Sequence, residues 1–467
     1  MSCDEATLGG CEATEEPPDT PFLAVELDVL HRNVDRIARS AAERGLALRP
    51  HGKTHKVAEI AAMQMSAGAV GLTLATIGEA EIFADAGVDD IFLAYPLWPT
   101  PRRVERIKDL AQRVRLSMGV DSAESAAQWG QALQGVEVQG TDVQVIIEVD
   151  SGHHRSGIWP DQAGVVADAA RAAGLPVAGV FTFPGHGYTQ DRAETATQEA
   201  AALTTAAAAL RASGHEVNVI SGGSTPTFAT ADSSALTEIR PGVYVFNDAQ
   251  QVELGTVTFA DVALTAHATV VSKRGNTVIL DAGSKVLGAD RQPWVSGGGR
   301  LPEHPQARIT ALSEHHATVQ FPEGMASPGL GDVLRVALIT SASRSTLPMS
   351  WSSFAAKKTV GLSSIVGPSR QGAAMVSPPH SPGFSIVEQD LPLPDGRNLH
   401  FYLALPEGHD HYALLPVFWH HGSPNVGWPP APMLDRALAE GLVWVSNDRP
   451  GYGGSTRHRA SRHRRSP

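Results

Sequence analysis

The chain has 467 residues, of which 42 % are hydrophobic and 18 % are charged, and its formal net charge at pH 7 is −12. This composition excludes an intrinsically disordered chain, and no run of about 18 apolar residues marks a membrane span. Because a nucleic-acid partner requires clustered Lys and Arg side chains that neutralise phosphates, the acidic balance disfavours nucleic-acid binding and favours small-molecule chemistry.

Residues 1–20 are predicted to form a disordered tail. They read MSCDEATLGGCEATEEPPDT and lack the basic end and the apolar stretch of a secretory signal. We therefore expect a cytoplasmic protein. Both cysteines, Cys3 and Cys11, lie in this tail, so the rest of the chain has no disulfide framework and no cysteine ligand for a metal.

Residues 21–250 alternate short β-type runs with Ala-rich helical stretches. Nine such runs are FLAVEL, LALRP, GLTLAT, DIFLAYP, VRLSMGV, VQVIIEVD, VAGVFTF, VNVIS and YVFND. The alternation indicates a parallel sheet, and runs that are apolar throughout indicate that both faces are buried. About eight repeats predict a (β/α)8 TIM-type barrel. An open doubly wound sheet is the alternative, but no G-x-G-x-x-G turn follows an early strand.

Residues 251–336 have a different sequence pattern. Strand-like segments such as DVALTAHATVVSK and NTVILDAG are separated by Gly and Pro turns with little helix between them. This pattern predicts a small antiparallel β domain after the barrel. Residues 337–374 then show neither the helical nor the strand period and are rich in Ser, so they are predicted to be an irregular linker.

The segment RPHGKTHK, Arg49–Lys56, carries the strongest chemical signal. It ends a predicted barrel strand, where (β/α)8 enzymes place their catalytic groups. A lysine amine can form an imine with an aldehyde, and partial burial beside Arg49 and Lys56 is expected to lower the pKa of Lys53 and favour the free amine. The alternative is a solvated basic turn.

A glycine-rich turn follows the late strand VNVIS. In a (β/α)8 barrel such a turn commonly binds phosphate through backbone N–H groups and hydroxyls. The alternative is a plain turn, since Gly and Ser are frequent in turns. Its position after the strand favours the phosphate interpretation. The candidate phosphate-binding residues are Ser221, Gly222, Gly223, Ser224 and Thr225.

Six motifs in order make the chain resemble a known family. They are TPFLAVELDVLHRN, LRPHGKTHK, GLTLATIGEAE, VDSGHHRSGI, FPGHGY, and SGGSTPT with EIRPGVYVFND. Together they resemble the D-serine dehydratase and D-threonine aldolase family, which has an alanine-racemase type of fold. The resemblance covers roughly residues 20–336, and six ordered motifs are far more specific than any one of them.

The resemblance implies pyridoxal 5′-phosphate (PLP) as cofactor. Lys53 matches the lysine that holds PLP and the base that handles the substrate α-proton, and Arg155 matches an arginine near the phenolic oxygen of the ring. Tyr188 is expected to line the same pocket, although a lone tyrosine is more often a core residue. Arg240 and Tyr244 are expected to close the barrel and reach the cofactor. The expected assembly is a homodimer in which the partner's β domain completes each active site.

The family acts on β-hydroxy D-amino acids. The implied reaction is either dehydration, which gives a keto acid and ammonia, or cleavage of the Cα–Cβ bond, which gives glycine and an aldehyde. A divalent metal, Zn²⁺ or Mn²⁺, is expected near the substrate hydroxyl, where a Lewis acid assists the leaving group or the cleavage. The sequence leaves open which reaction dominates and which D-amino acid is used.

The expected metal ligands are missing from the sequence. In the family they follow a strand like GDVLRV, Gly331–Val336, as His-x-Cys or His-x-Asp, whereas here ALITSASRSTL follows. Among the remaining histidines, His153, His154, His186 and His267 have no spacing typical of a metal site and are expected to be polar lining.

A reading-frame slip would explain the missing ligands. Permitted codons for residues 337–352 allow the neighbouring frame to encode Pro-Asp-His-Val-Cys, which contains the family's metal element. We therefore interpret residues 337–374 as a frame-shifted linker and the β domain as truncated. The neighbouring frame permits Cys, Arg, Ser or Gly at the second ligand position but never Asp, which favours the dehydratase side.

Residues 375–467 resemble the beginning of an α/β-hydrolase. HHGSPN, His420–Asn425, resembles an oxyanion loop, and NDRPGYGGS, Asn447–Ser455, resembles the next strand and turn. The nucleophile elbow G-x-S-x-G and the residues that must follow it are absent, so no hydrolase activity is expected. The sequence thus favours a PLP-dependent lyase impaired by metal loss, with a catalytically inactive PLP-binding remnant as the alternative.

Overall fold

The computed structural model describes residues 19–134, 143–290 and 292–340 continuously, followed by the strand segments 349–354, 359–364, 384–392, 398–406, 415–419 and 442–447. The chain divides into two compact units, Met1–Ile365 and Val366–Pro467. Residues 1–18 of the predicted tail and much of the predicted frame-shifted linker lie outside the described residues. In the described part of the chain, no helix is both long and apolar enough to span a membrane.

The first unit alternates strands and helices over most of its length. It begins with β1 (Phe22–Glu26) and α1 (Leu27–Glu43). The next strands are β2 (Ala47–Leu48), β3 (Leu72–Leu74), β4 (Asp90–Pro96), β5 (Arg115–Val120), β6 (Gln144–Glu148), β7 (Val177–Phe181), β8 (Val219–Gly222) and β9 (Glu238–Ile239). The further helices are α2 (Ala58–Ser66), α3 (Ile77–Asp85), α4 (Pro101–Ala111), α5 (Ala123–Leu133), α6 (Ala163–Ala172), α7 (Arg192–Ala212) and α8 (Ala249–Glu253).

Strands β2 to β9 form a parallel barrel. Their order is β2-β9-β8-β7-β6-β5-β4-β3, and a parallel bridge between His51 and Thr73 joins the two ends. At this closure the Thr73 N–H donates to the Pro50 carbonyl oxygen at 2.8 Å. The predicted (β/α)8 barrel is therefore confirmed, and the open doubly wound alternative is excluded.

Local sequence signals explain where several helices begin. The side chains of Thr76, Thr100 and Ser122 accept hydrogen bonds from the first turns of α3, α4 and α5. These polar caps satisfy N–H groups that have no partner within the helix. The barrel strands are apolar on both faces because one face meets the helices and the other meets the barrel interior.

The barrel interior contains a small aromatic cluster. Phe92 of β4 and Phe181 of β7 pack edge to face, with ring centres 4.9 Å apart. Ile146 and Ala178 complete this cluster, while Ile91 and other alternate residues of the same strands pack into the outer core with the helices. The alternation places successive side chains on opposite faces of the barrel wall.

An ion-pair network ties three strands together. Arg49, which follows β2, pairs with Asp90 of β4 at 2.5 Å and with Glu238 of β9 at 2.7 Å. Burial alone would lower the pKa of Arg49, but the ion pairs and hydrogen bonds with Glu238 and Asp90 together outweigh it and raise that pKa. Since Glu238 also accepts a hydrogen bond from Ser221 at 2.6 Å, the network reaches strand β8 as well.

An antiparallel sheet follows the barrel, as the sequence predicts. Its strands after the barrel are β10 (Leu264–Arg274), β11 (Thr277–Leu280), β12 (Gly299–Arg300), β13 (Arg308–Leu312), β14 (Ala317–Gln320), β15 (Val333–Leu338), β16 (Met349–Phe354) and β17 (Thr359–Ser364), with helix α9 (Ser284–Leu287) after β11. The order is β13-β14-β11-β10-β1-β17-β16, and β15 pairs with β10 and β12.

The sequence predicts that FLAVEL and YVFND are barrel strands, and both predictions are wrong. FLAVEL contributes β1, which pairs antiparallel with β10 and β17 in the second sheet. Leu23, Ala24 and Val25 are buried there, so the run is apolar for the same reason as a barrel strand. YVFND contains a 3₁₀ turn, Val243–Val245, and the last barrel strand is the short pair Glu238–Ile239.

Residues predicted to be an irregular linker contribute to the second sheet. Strand β15 extends to Leu338, and β16 and β17 form a hairpin in full register from Met349↔Ser364 to Phe354↔Thr359. The sequences MSWSSF and TVGLSS carry little strand pattern, yet β17 pairs with β1 and β16 pairs with β17.

The second unit contains a four-stranded sheet among its described residues. Its strands are β18 (Phe384–Pro392), β19 (Asn398–Pro406), β20 (Leu415–Trp419) and β21 (Leu442–Asn447). The order is β18-β19-β21-β20, in which β20 and β21 are parallel and the other pairs are antiparallel. A parallel pair requires a crossover connection. The predicted hydrolase motif His420–Asn425 lies outside the described residues.

Replacement of Gly179 by Ala should destabilise the barrel. Gly179 in β7 has φ +155°, and a Cβ there would overlap the Val219 carbonyl oxygen of the neighbouring strand. Backbone strain and overpacking together should cost about 2–5 kcal/mol. Urea unfolding followed by circular dichroism measures this loss.

Gly214→Ala is the matched control. Gly214 also has a positive φ, +73°, but a Cβ there would meet nothing within 4 Å. It should cost only about 1 kcal/mol. Equal losses for the two variants would contradict the clash at Gly179.

Candidate active site

Lys53 lies on a short 3₁₀ turn, Gly52–Thr54, at the carboxyl end of β2. The Lys53 N–H donates to His51 Nδ1 at 3.3 Å, which fixes the start of the turn. A Cβ at Gly52 would lie 2.8 Å from Leu74 Cδ2, so glycine allows the turn to pack closely against β3. The structure therefore places the lysine at the catalytic end of the barrel, as predicted.

Two cations share one aromatic ring at this end of the barrel. The Lys53 Nζ and the Arg155 guanidinium carbon each lie 5.2 Å from the centre of the Phe183 ring. Arg155 follows β6 and is half exposed, and its guanidinium is 3.9 Å from Glu148 Oε1. The ring face attracts both cations and so holds them near each other.

The Lys53 amine loses its proton readily. Burial, and then the positive charges of Arg155 and Arg240, lower the pKa of Lys53 from 10.5 to about 8 against a smaller opposing effect of Glu79. The predicted direction is correct, but the predicted neighbours are not the cause. Arg49 is held by its ion pairs in the barrel wall, and Lys56 pairs with Glu79 at 3.1 Å.

Arg240 lies inside the barrel below this site. Its guanidinium carbon is 5.2 Å from the Phe181 ring centre and 5.6 Å from that of Phe92, and it donates to the Thr182 carbonyl oxygen. The residue is 5 % exposed, and its buried Nε has no partner in the described part of the protein. A buried donor without a partner is costly, so this nitrogen is a candidate ligand contact.

His51 is a neutral imidazole beside the amine. Burial and the nearby charges of Lys53 and Arg240 place the pKa of His51 well below its ordinary value. A Cβ at Gly242 would lie 3.1 Å from His51 Cβ, so the segment after Arg240 packs directly against the lysine turn. His55, by contrast, is fully buried, and its Nδ1 lies 3.1 Å from the backbone of Val57.

The predicted phosphate turn begins at the carboxyl end of β8. Gly223 has φ +76°, and a Cβ there would collide with Ile239. The Gly223 N–H donates to Glu199 Oε1 at 2.6 Å, and the Ser224 N–H donates to Thr227 Oγ1 at 3.0 Å. The turn is thus built from close backbone approaches that only glycine permits.

The hydroxyls of this turn already have partners. Ser221 donates to Glu238 at 2.6 Å, so its side chain belongs to the ion-pair network of the wall. The Thr225 hydroxyl accepts from the Tyr244 N–H at 3.2 Å, and a hydroxyl that accepts a hydrogen bond can also donate one. The Gly223 and Ser224 N–H groups also have protein partners, so among the side chains of the turn Thr225 is a better candidate phosphate donor than Ser221.

The two predicted tyrosines differ in their surroundings. Tyr244 is 1 % exposed, and its hydroxyl accepts a hydrogen bond from Gln64 at 2.9 Å, which holds the ring in the core. Tyr188 is half-buried and follows the 3₁₀ turn Gly185–Gly187, where a Cβ at Gly187 would lie 2.7 Å from Thr227. Tyr188 therefore lies next to the glycine turn, and burial and Asp248 raise its pKa.

The four histidines considered for a metal are dispersed. His153 packs edge-on to Phe183, with ring centres 5.6 Å apart, and His186 Nε2 lies 3.0 Å from Gln198 Oε1. His154 is exposed and lies 2.6 Å from Asp150. His267 stacks on a phenylalanine of β1 in the second sheet. Only His153 and His186 are near the cations of the site, where burial, Arg155 and His186 lower the pKa of His153.

Sequence reasoning missed three residues of the site: His51, Phe183 and Glu199. His51 and Phe183 lie within quoted motifs, LRPHGKTHK and FPGHGY, each directly after a barrel strand. A position directly after a barrel strand is typical of site residues and could have identified both His51 and Phe183. Glu199 lies within an Ala-rich helix, where a glutamate is typical of a solvated face, so the sequence carries no signal for it.

The residues of this site fit PLP. An amine of low pKa can bind an aldehyde carbon, the glycine turn follows a late barrel strand where such barrels bind phosphate, and Arg240 supplies a buried nitrogen without a partner among the described residues. The expected metal does not fit. Throughout the described ranges, no group of three or more His, Cys, Asp and Glu side chains could hold one. The sequence Ile339–Leu347 contains none of these residue types.

The chain matches two protein-family models. One, the alanine racemase N-terminal domain, covers residues 25–250, and the other, a putative serine dehydratase domain, covers residues 263–339. D-threo-3-hydroxyaspartate dehydratase of Delftia sp. (strain HT23) is 38 % identical over 328 residues, 66 % of this chain and 85 % of the relative. D-threonine aldolase of Arthrobacter sp. is 34 % identical over 331 residues, 68 % of this chain and 84 % of the relative.

The fold is also found in solved structures. D-threo-3-hydroxyaspartate dehydratase from Delftia sp. HT23 has a TM-score of 0.65 and 31 % identity, covering 72 % of this chain and 95 % of that one. A cysteine-to-alanine mutant of D-threo-3-hydroxyaspartate dehydratase in the metal-free form has a TM-score of 0.66 and 31 % identity, covering 74 % and 97 %.

Replacing Lys53 by Met should stabilise the cofactor-free protein at pH 7. The pKa of Lys53 is about 8 in the folded chain and 10.5 ordinarily, so the buried charge is penalised in full below pH 8. The penalty disappears as pH rises from 8 to 10.5, because the folded amine is then neutral. Thermal unfolding between pH 7 and 10.5 should show an advantage of Lys53→Met that shrinks across this window.

Lys56→Met is the control. Lys56 pairs with Glu79, so its removal should give no stability gain at pH 7. A Lys53→Met variant that is no more stable than the wild type at pH 7, or whose advantage does not change with pH, would be incompatible with a depressed pKa at Lys53.

Proposed function

Since this chain belongs to the family of D-threo-3-hydroxyaspartate dehydratase and D-threonine aldolase, we propose that it is a PLP-dependent lyase acting on β-hydroxy D-amino acids. The observation that carries the proposal is the Lys53 amine, with its pKa of about 8, at the carboxyl end of a (β/α)8 barrel. The relatives include both a dehydratase and aldolases, which supports the substrate class more than the choice of reaction.

The site residues would hold PLP at three points. Lys53 would bind the aldehyde carbon, the turn Ser221–Thr225 would bind the phosphate, and Arg155 would face the phenolic oxygen of the ring. Tyr188 lines the pocket beside the glycine turn, whereas Tyr244 supports it from the core through its backbone contact with Thr225. Bound PLP supplies an electron-withdrawing ring that stabilises negative charge at the substrate Cα.

Lys53 is also the proposed base. Its neutral amine would take the proton from the substrate Cα. A low pKa suits this role because a base works best when its pKa lies near the working pH. The Lys53 amine and the Arg155 guanidinium both lie within 5.2 Å of the centre of the Phe183 ring, whose face attracts cations.

A second candidate is a protein that binds PLP without turnover. The missing metal ligands after β15 favour it, because the family's Lewis acid would assist departure of the hydroxyl or cleavage of the Cα–Cβ bond. The hydrolase-like interpretation of residues 375–467 stays a proposal. The parallel pair β20–β21 within a mixed sheet supports an α/β class for this segment. No residues that match a catalytic triad support a hydrolase activity for it.

Binding of PLP can be tested by absorbance and chemical trapping. Wild-type protein with excess PLP should develop a visible absorbance band, and borohydride should fix a pyridoxyl group on Lys53, identified by peptide mass spectrometry. Lys53→Ala should lose both signals, and Lys56→Ala should keep both. A colourless wild-type protein with no adduct at Lys53 would remove the basis of both candidates.

Turnover separates the two candidates. The lyase should form a keto acid with ammonia, or glycine with an aldehyde, from D-serine, D-threonine or D-threo-3-hydroxyaspartate. The L-enantiomers serve as controls, and each assay is run without metal and with Zn²⁺ or Mn²⁺. PLP bound at Lys53 with no product under any condition would favour the inactive binding protein.

A further inference from the structure

A buried carboxylic acid lies beneath the glycine turn. Glu199 belongs to α7 and is 0 % exposed. An unpaired carboxylate in such a place is costly, because burial removes its hydration. The Glu199 carboxyl group therefore needs either a hydrogen-bonding or charged partner or a proton.

The two oxygens of Glu199 have different surroundings. Oε1 accepts the Gly223 N–H at 2.6 Å, and Gly222 packs so closely that a Cβ there would lie 2.5 Å from the same oxygen. Oε2 is buried and has no hydrogen-bond partner within the described residues. The carboxyl group is thus seated directly against the turn that the proposed function assigns to phosphate.

Among the described residues, one charged side chain, Arg240, acts on the pKa of Glu199. Burial raises the pKa of Glu199 to about 7 and outweighs the opposing effects of the Gly223 N–H and of the positive charge on Arg240. Arg240 itself also faces Glu238, Glu148 and Arg49 inside the barrel.

The other elements packed against α7 present charged groups elsewhere. Asp168 of α6 lies 2.6 Å from Arg171 and 3.0 Å from His215. Asp161 is exposed, and His186 lies 3.0 Å from Gln198 on the outer side of the helix. None of these groups acts on the pKa of Glu199, which is set by burial, the Gly223 N–H and Arg240.

A phosphate at the turn and an ionised Glu199 oppose each other. Both are anions, and both accept hydrogen bonds from the same short stretch of backbone that includes the Gly223 N–H. A nearby anion favours the protonated form of a carboxyl group. A neutral Glu199 carries no charge to repel the phosphate and leaves the Gly223 N–H easier to share.

We propose that Glu199 is a positioning residue that sets the phosphate affinity of the glycine turn: its neutral form permits tight phosphate binding, and its ionised form weakens it. This inference rests on the proposed function, because it takes the phosphate of PLP as the ligand of the turn. It assigns no role to Glu199 in bond making or breaking.

The direction of the pH effect follows from the geometry. As pH rises above 7 the carboxyl ionises in the free protein, so binding PLP must then restore a proton to it. One linked proton changes affinity by at most roughly tenfold per pH unit. Pyridoxal has the same aldehyde but no phosphate, so the ratio of its dissociation constant to that of PLP isolates the phosphate contribution from the titration of Lys53.

The experiment measures both dissociation constants by absorbance at pH 6.5 and pH 8.5. The phosphate is largely a dianion across this range, since its second pKa is about 6. For the wild type, the ratio of the pyridoxal constant to the PLP constant should fall roughly tenfold from pH 6.5 to pH 8.5. This arm needs no substitution, so it does not depend on the folding of a variant.

Two variants complete the test. Glu199→Gln keeps the shape and the acceptor for the Gly223 N–H without charge, so its ratio should be high and the same at both pH values. Glu194→Gln, at an exposed position of the same helix, should behave like the wild type. A wild-type ratio that is constant with pH, or a Glu199→Gln ratio that falls as in the wild type, would overturn the role of Glu199 while leaving PLP binding intact. Failure of the wild type to bind PLP at all would overturn both.

Discussion

The desolvation of the Lys53 amine is the interaction on which the site depends. Burial removes water from the ammonium, and Arg155 and Arg240 add like charge, so the neutral amine is favoured. The three cations come from different strand ends: Lys53 follows β2, Arg155 follows β6 and Arg240 follows β9. Closure of the barrel therefore produces the chemistry, because no local segment could bring these charges together.

Bringing these cations together in a partly buried site lowers the stability of the folded protein, and the surrounding carboxylates partly offset this loss. Burial lowers the pKa of Arg240, whereas Glu238, Glu199 and Glu148 raise it. Positive groups lie at the barrel end and their carboxylate partners in the wall and beneath it. Such a cost in folding stability is typical of functional sites.

The sequence predicts those parts of the fold and site that depend on position relative to an apolar run. The barrel follows from its repeated strands, and Lys53 and the glycine turn follow from their places at strand ends. The sequence cannot assign β1 to the antiparallel sheet. A short apolar run that is buried on both faces has the same pattern in a parallel barrel and in an antiparallel sheet. Glu199 could not be predicted either, since only the packing of α7 under β8 distinguishes it from a surface glutamate.

Cofactor binding and metal-assisted turnover depend on separate parts of this chain. The PLP-site candidates all lie at the ends of barrel strands, whereas the family's metal element would follow β15 of the second sheet. That sheet is well formed up to this point: β15 pairs with β10 from Val333 to Ala337, and Arg335 pairs with Glu26 and Glu303 at 2.6 Å. The serine dehydratase match ends at residue 339, and Ile339–Leu347 contains no metal-binding residue type. A change confined to the residues after β15 would therefore leave the barrel site and its lysine intact.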